Sequence, residues 1–262
     1  MRKLDYPVAE GVILDFIRSH VLGKAGIVLG ISGGVDSALT AALAVRAIGA
    51  DRVVGVYMPY FDTADRKDAR LVARHLGITL REISIRPVVD AFLQEIPETL
   101  DKVARGNVMA RTRMMLLYAI ANQEERIVVG TGNRSEWLTG YFTKWGDGAC
   151  DIAPIVGLYK TEVWEMARRL EVPERIVAKP PTAGLWIGQT DEGELGVSYA
   201  QLDTVLHLLF DQHQSIVEVA QQLAIPVEQV AAIDKRVRKS AHKRQPPVGP
   251  QLYGTTESEG ER

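Results

Sequence analysis

The stretch of residues 26–49 constrains the fold of this chain more than any other. Residues 26–31, Gly-Ile-Val-Leu-Gly-Ile, form a short apolar run rich in β-branched residues. That is how a parallel strand buried on both faces reads. A glycine-rich turn follows, and residues 37–44 then read as a helix that closes near Gly49.

The order strand, turn, helix recurs. Residues 52–57 read as a second strand, and residues 65–76 as a helix stopped at Gly77. Residues 78–85 read as a third strand. Residues 107–123 form a helix candidate, with Met114, Leu117 and Tyr118 at helical spacing. Residues 126–130 are another β-branched run. Strands alternating with helices predict an α/β fold, a three-layer, doubly wound parallel sheet with helices on both faces. Ligands of such sheets sit at the carboxyl ends of the strands, where the strand order reverses.

Before the first strand, Val8, Val12, Leu14, Phe16, Ile17 and Val21 space an amphipathic helix over residues 7–22. After Gly130 the texture changes. Residues 131–157 are rich in Gly, Asp and aromatic residues, and residues 180–196 are a Gly-, Pro- and acid-rich loop. Loops of that length in a compact domain are often functional. Helices are expected over residues 160–170, 199–223 and 226–240; the last starts after a favourable proline and ends in basic residues. Residues 1–253 are expected to form a single domain, and the small, polar residues 254–262 a flexible tail.

Composition narrows the function classes. A formal net charge of -2 argues against a dedicated nucleic-acid binder. The one cysteine, Cys150, rules out an internal disulfide framework or a CxxC metal site and suits a reducing cytoplasm. Asp5, Glu10 and Asp15 interrupt any signal-peptide core, and no apolar run reaches the ~18 residues of a membrane span.

The sharpest motif is Gly30-Ile31-Ser32-Gly33-Gly34-Val35-Asp36-Ser37, between strand and helix. Small residues and open N–H groups at a helix N-terminus suit an anion, and glycines admit a phosphate close to the backbone. It is neither a Walker A loop, which needs a lysine, nor GxGxxG. Asp36 makes sense there as a ligand of Mg²⁺ on pyrophosphate oxygens. A helix-capping aspartate would explain Asp36 but not the whole string.

This string resembles the pyrophosphate-binding loop of the ATP-pyrophosphatase family, whose members cleave ATP to AMP and pyrophosphate while activating a carboxyl or amide-like oxygen. Within it, the chain resembles the ammonia-dependent NAD synthetases from the loop almost to the C-terminus. Residues 107–118, NVMARTRMMLLY, look like the ARxRM helix, which implies that Arg111 contacts deamido-NAD. Residues 129–136, VGTGNRSE, resemble a VGTxxxxE segment, implying Thr131 on ATP and Glu136 on Mg²⁺. Thr143-Lys144-Trp145-Gly146-Asp147 looks like TKYGD with Trp for Tyr; Lys144 and Asp151 match positions that bind deamido-NAD. Lys160 matches an ATP-contacting lysine. Residues 179–196 resemble a mobile second loop in which Thr182 meets ATP. His242-Lys243-Arg244 resembles a terminus whose His and Lys meet the dinucleotide.

The resemblance thus implies a ligase that amidates deamido-NAD with ammonia, with ATP as co-substrate, Mg²⁺ as cofactor and AMP and pyrophosphate as products. Asp36, Lys160 and Thr182 would carry the chemistry, and a homodimer is implied. Cys150 reads as a buried apolar side chain rather than the nucleophile of a glutaminase. Two other readings share the loop: a tRNA-modifying adenylating enzyme, expected to be basic, and a non-catalytic nucleotide sensor. A GMP-synthetase-like amidating domain differs only in substrate.

Overall fold

The computed structural model describes residues 3–96, 98–186 and 188–250, so the expected tail lies outside the described residues. Four strands, β1 (Gly26–Gly30), β2 (Val53–Tyr57), β3 (Thr79–Glu82) and β4 (Arg126–Val128), form one sheet in the order β3-β2-β1-β4. All three pairings are parallel, with Val28 opposite Val54 on one side and Val128 on the other. The expected doubly wound sheet is present.

Period-2 alternation assigns the side chains to two cores. Ile27, Leu29, Val53, Tyr57, Ile127 and Val129 pack beneath α1 (Tyr6–His20), α2 (Val35–Ile48) and α3 (Asp65–Leu76). Val28, Val54, Val56 and Val128 face the other way, against α4 (Arg86–Glu95) and α5 (Lys102–Gln123). Two strand glycines keep the sheet tight. A Cβ on Gly26 would stand 2.1 Å from the Arg52 carbonyl oxygen, and one on Gly55 2.7 Å from Ile31.

Beyond β4 come α6 (Arg134–Thr139), α7 (Lys160–Arg169), α8 (Glu174–Val177) and α9 (Asp191–Leu195). They are followed by α10 (Tyr199–Leu206), α11 (Ile216–Leu223) and α12 (Val227–Lys239). A third cluster, including Tyr159, Tyr199, Leu206, Val219, Val230 and Val237, holds α10 to α12 together. No helix of the described residues is long and apolar enough to cross a membrane.

Besides the short helices α6, α8 and α9, of which none was expected, three elements differ from expectation. The single helix expected over 199–223 is two helices, joined by a π-helical turn at His207–Asp211. The second restarts because Ser215 and Glu218 form a capping box, the serine N–H donating to the glutamate at 2.7 Å. The chain turns before it at His213, which has φ +55. Helix α5 starts at Lys102 rather than 107, because Asp101 caps it by accepting from Ala104 N–H at 2.8 Å. Helix α4 was not expected. It buries Val89 and leaves Val88 and Phe92 about half exposed; Val89, Phe92 and Leu93 keep helical spacing, a signal that sequence reasoning missed.

Candidate active site

The strand order places the reversal between β1 and β4: from β1 the chain steps to β2 on one side and later to β4 on the other. A cavity of about 620 Å³ opens there. Its walls come from the ends of β1 (Gly30, Ile31), β2 (Met58, Pro59) and β4 (Gly130, Thr131). This is where an open α/β sheet binds ligands.

The turn after β1 is held by its own hydroxyls. Ser32 N–H donates to Ser37 Oγ at 3.2 Å, Gly34 N–H to Ser32 Oγ at 3.2 Å, and Ser37 Oγ–H to the Gly34 carbonyl at 3.0 Å. Gly33 adopts φ +82, a left-handed conformation that disfavours a Cβ. Helix α2 then begins at Val35 with Gly34 as its N-cap and no side chain capping it. Its first-turn N–H groups need partners from outside the helix, and the positive end of its dipole favours an anion. Ser32, Gly34, Val35, Asp36 and Ser37 line the cavity together with Gly30 and Ile31; Gly33 packs behind them against α3.

Charge is concentrated beside this turn. Lys160, the first residue of α7, is 2% exposed, and its Nζ pairs with Asp36 Oδ2. Burial opposes the ammonium charge, but Asp36 and then Glu136 outweigh it and hold the lysine pKa above its ordinary value. The Lys160 Nζ also lies 5.5 Å from the centre of the Tyr199 ring. Glu136 sits in the first turn of α6. Burial first, and then the Asp36 charge, push its carboxyl well above the usual carboxylate range.

Asn133 links the two acids. Its Nδ2 donates to Asp36 Oδ1 at 2.8 Å, its Oδ1 accepts from Glu136 N–H at 3.0 Å, and its own N–H donates to Glu136 Oε2 at 3.0 Å. Two repelling carboxylates on one cavity wall are a donor set that fits a hard divalent cation, with the remaining ligands drawn from phosphate oxygens and water. Among the described residues, no group of three or more His, Cys, Asp or Glu side chains could hold a metal without such outside ligands.

Thr131, Thr182 and Lys243 also line the cavity. Thr182 Oγ1 accepts from Gly184 N–H at 3.1 Å, and Lys243 Nζ donates to the Gly140 and Phe142 carbonyls, each at 2.7 Å. Arg111, Lys144, Asp151 and His242 lie outside the cavity lining. Three of them run together: Arg111 Nη2 donates to the Lys144 carbonyl at 3.3 Å, and Lys144 Nζ to the His242 carbonyl at 2.6 Å. Asp151 sits apart at the edge of β4, accepting from Val128 N–H at 2.7 Å and Tyr118 OH at 3.1 Å. Except for Gly33, the residues expected on ATP are thus gathered in one cavity. Of those expected on the dinucleotide, only Lys243 joins them.

Sequence reasoning missed several polar groups here. Asp191 is 3% exposed, lines the cavity and accepts from Tyr199 OH at 3.0 Å, while its Oδ1 has no partner. Arg113 lines the cavity and donates to the Met58 carbonyl at 3.0 Å; burial lowers its pKa. Asp203 and Ser135 support the start of α7 from below. Only Asn133 had a legible signal, the N-x-x-E spacing of a capping box. The others are single polar residues that only the fold brings to the site.

Comparison with known proteins places the whole chain. The model of the NAD synthase family matches residues 11–247. The NH(3)-dependent NAD(+) synthetase of Pyrococcus horikoshii is 55% identical over 250 residues, 95% of this chain and 96% of its own. Among solved structures, the NMN synthetase of Francisella tularensis aligns with a TM-score of 0.83 at 36% identity, covering 95% of this chain and 100% of that one. The NH3-dependent NAD synthetase of Campylobacter jejuni, solved with a nitrate ion, aligns with a TM-score of 0.80 at 30% identity, covering 95% and 100%.

Proposed function

This chain belongs to the NAD synthase family, and from that premise we propose that it amidates deamido-NAD to NAD, using ATP and free ammonia and releasing AMP and pyrophosphate. The observation that carries this reading is the uncapped N-terminus of α2, which opens into the cavity beside Asp36, Glu136 and Lys160.

The nicotinate carboxylate attacks the α-phosphorus of ATP. An acyl-adenylate forms, and negative charge grows on the departing pyrophosphate. The α2 N–H groups and the Lys160 ammonium are preorganised to stabilise that charge, and preorganised donors of this kind supply large rate factors. Thr182, on the loop over the cavity, is the candidate partner of the α-phosphate. Ammonia then attacks the adenylate carbonyl and AMP departs. Asp36 and Glu136 would hold Mg²⁺, which supplies charge neutralisation on phosphate oxygens when bound. Arg111, Lys144, Asp151, His242 and Lys243 are the candidate dinucleotide contacts.

Cys150 supports ammonia as the nitrogen source. Its thiol pKa is pushed up by burial, the opposite of what a glutaminase nucleophile needs. Its Sγ would stand 2.6 Å from a Cβ on Gly130, so it fills the space beside that glycine. A homodimer is part of the same proposal: Val88 and Phe92 on α4 and Met115 on α5 are 51%, 51% and 56% exposed, apolar surface suited to a second copy. The tRNA-modifying and sensor readings draw no support from the relatives.

The test is an end-point assay with ATP, Mg²⁺, deamido-NAD and an ammonium salt, its products separated by chromatography. Equal NAD and AMP with ammonium, and little with glutamine, is the expected result. ATP binding with no NAD or AMP would overturn it. The likeness to the Francisella NMN synthetase supports a second substrate, nicotinic acid mononucleotide, to be run in a parallel tube. Faster turnover of the mononucleotide would replace deamido-NAD as the substrate.

A further inference from the structure

Lys179 opens the loop over residues 179–196, and its ammonium meets three acceptors. Nζ donates to Asp65 Oδ1 at 2.6 Å and to Asp68 Oδ2 at 2.8 Å, and it reaches the Gly33 carbonyl at 3.4 Å. Asp65 and Asp68 lie in the first turn of α3, directly behind the glycine turn. A Cβ on Gly33 would stand 2.9 Å from both the Asp65 carbonyl oxygen and the Asp68 Cβ. Asp68 is 4% exposed, and its other oxygen accepts from Arg175 Nε at 2.9 Å.

Two carboxylates therefore abut the turn that, on the reading above, receives the most negative part of ATP. Lys179 and Asp65 both line the cavity, whereas Arg175 does not. A lysine ammonium has three N–H groups. Here they match three acceptors, which leaves none for a phosphate while these contacts stand. That separates Lys179 from Lys160, whose role is at the phosphates themselves. It also separates Lys179 from an ordinary surface ion pair, because one of its acceptors is the backbone of the phosphate turn.

We propose that Lys179 is a positioning residue that neutralises Asp65 and Asp68 beside the phosphate turn and ties the root of the 179–196 loop to the Gly33 backbone. It acts on ATP through those two acids and not by touching it. This inference rests on the reading that the ATP phosphates occupy this cavity.

The experiment is steady-state kinetics on full-length Lys179→Met, Lys179→Arg, the double variant Asp65→Asn/Asp68→Asn, and the triple variant combining that pair with Lys179→Met. With Asp65 unpaired and Asp68 left to Arg175 alone, Lys179→Met should raise the ATP KM about tenfold at low ionic strength and less at high salt, with a smaller change in kcat. The triple variant, with no acids left to neutralise, should recover most of the KM. Lys179→Arg should stay within about twofold of wild type, since it keeps the charge. An unchanged KM in Lys179→Met would overturn the inference, and so would a kcat collapse that the triple variant does not repair. If Lys179→Met does not fold, the double variant decides: its ATP KM should be at or below that of wild type, and a rise refutes the neutralising role. A wild-type enzyme that forms neither NAD nor AMP would instead bring down the functional reading, and this inference with it.

Discussion

Replacing Asp203 by asparagine should change how stability depends on pH, by an amount the structure sets. Asp203 on α10 is 0% exposed. Its Oδ1 accepts from Ser135 Oγ at 2.5 Å and its Oδ2 from Thr161 N–H at 2.9 Å. Ser135 Oγ in turn accepts from Lys160 N–H at 2.9 Å. One carboxylate thus ties α10 to α6 and to the first turn of α7, the turn that carries Lys160. Burial pushes its pKa from 3.8 to about 6, although the Ser135 and Thr161 hydrogen bonds pull the other way.

The folded value lies above the unfolded one, so folding favours the protonated form. The stability this group contributes is fully present below pH 3.8 and is lost as pH rises through about 6. A gap of about two pH units corresponds to about 3 kcal/mol. Asparagine is neutral throughout and lacks that slope. It also has one acceptor oxygen where two donors converge, a cost of about 1–3 kcal/mol that does not vary with pH. Urea unfolding midpoints of both proteins from pH 4 to 8 give the comparison, in which all other titrating groups cancel. Wild-type stability relative to Asp203→Asn should fall by about 2.4 kcal/mol between pH 4 and 7. Parallel curves would refute the assignment of a buried, high-pKa carboxylate.

Other perturbations follow from the same geometry. Asp36→Ala removes the partner of Lys160 and should cut turnover about a hundredfold or more while the protein stays folded; near-normal NAD formation would sink its assignment to the reaction. Gly33→Ala forces a Cβ into a turn at φ +82 and within 2.9 Å of α3. It should cost at least about 1–2 kcal/mol in melting experiments and raise the ATP KM. Gly106→Ala has effects of opposite sign. It should stabilise α5 by up to about 1 kcal/mol through helix propensity. Its Cβ, 3.1 Å from Leu185 Cδ1, should also push the overlying loop and raise the ATP KM. A raised melting temperature with unchanged kinetics would show that the Leu185 contact does not hold the loop.

The core of this protein could be read from its sequence because it depends on local order. The β-branched run at residues 26–31, the glycine turn and the helix after it are near neighbours in the chain, and each has a preferred backbone conformation of its own. The same holds for the parallel sheet that alternating strands and helices require. Helix α4 was legible in the helical spacing of Val89, Phe92 and Leu93 and was simply missed. The break at His207–Asp211 escaped because Asp211 is drawn to Arg134 and Tyr159, which are far away in sequence.

What tertiary structure alone decided is which charges meet. Asp36 and Lys160 are 124 residues apart, Lys179 and Asp65 114, and Ser135 and Asp203 68. No periodicity or motif records such pairings. A side chain's charge state depends on burial and on neighbours within a few ångströms, and folding, not sequence adjacency, supplies those neighbours. For the same reason the family resemblance could gather Arg111, Lys144, Asp151, His242 and Lys243 into one expected set, whereas only the fold put Lys243 in the cavity wall and the other four outside it.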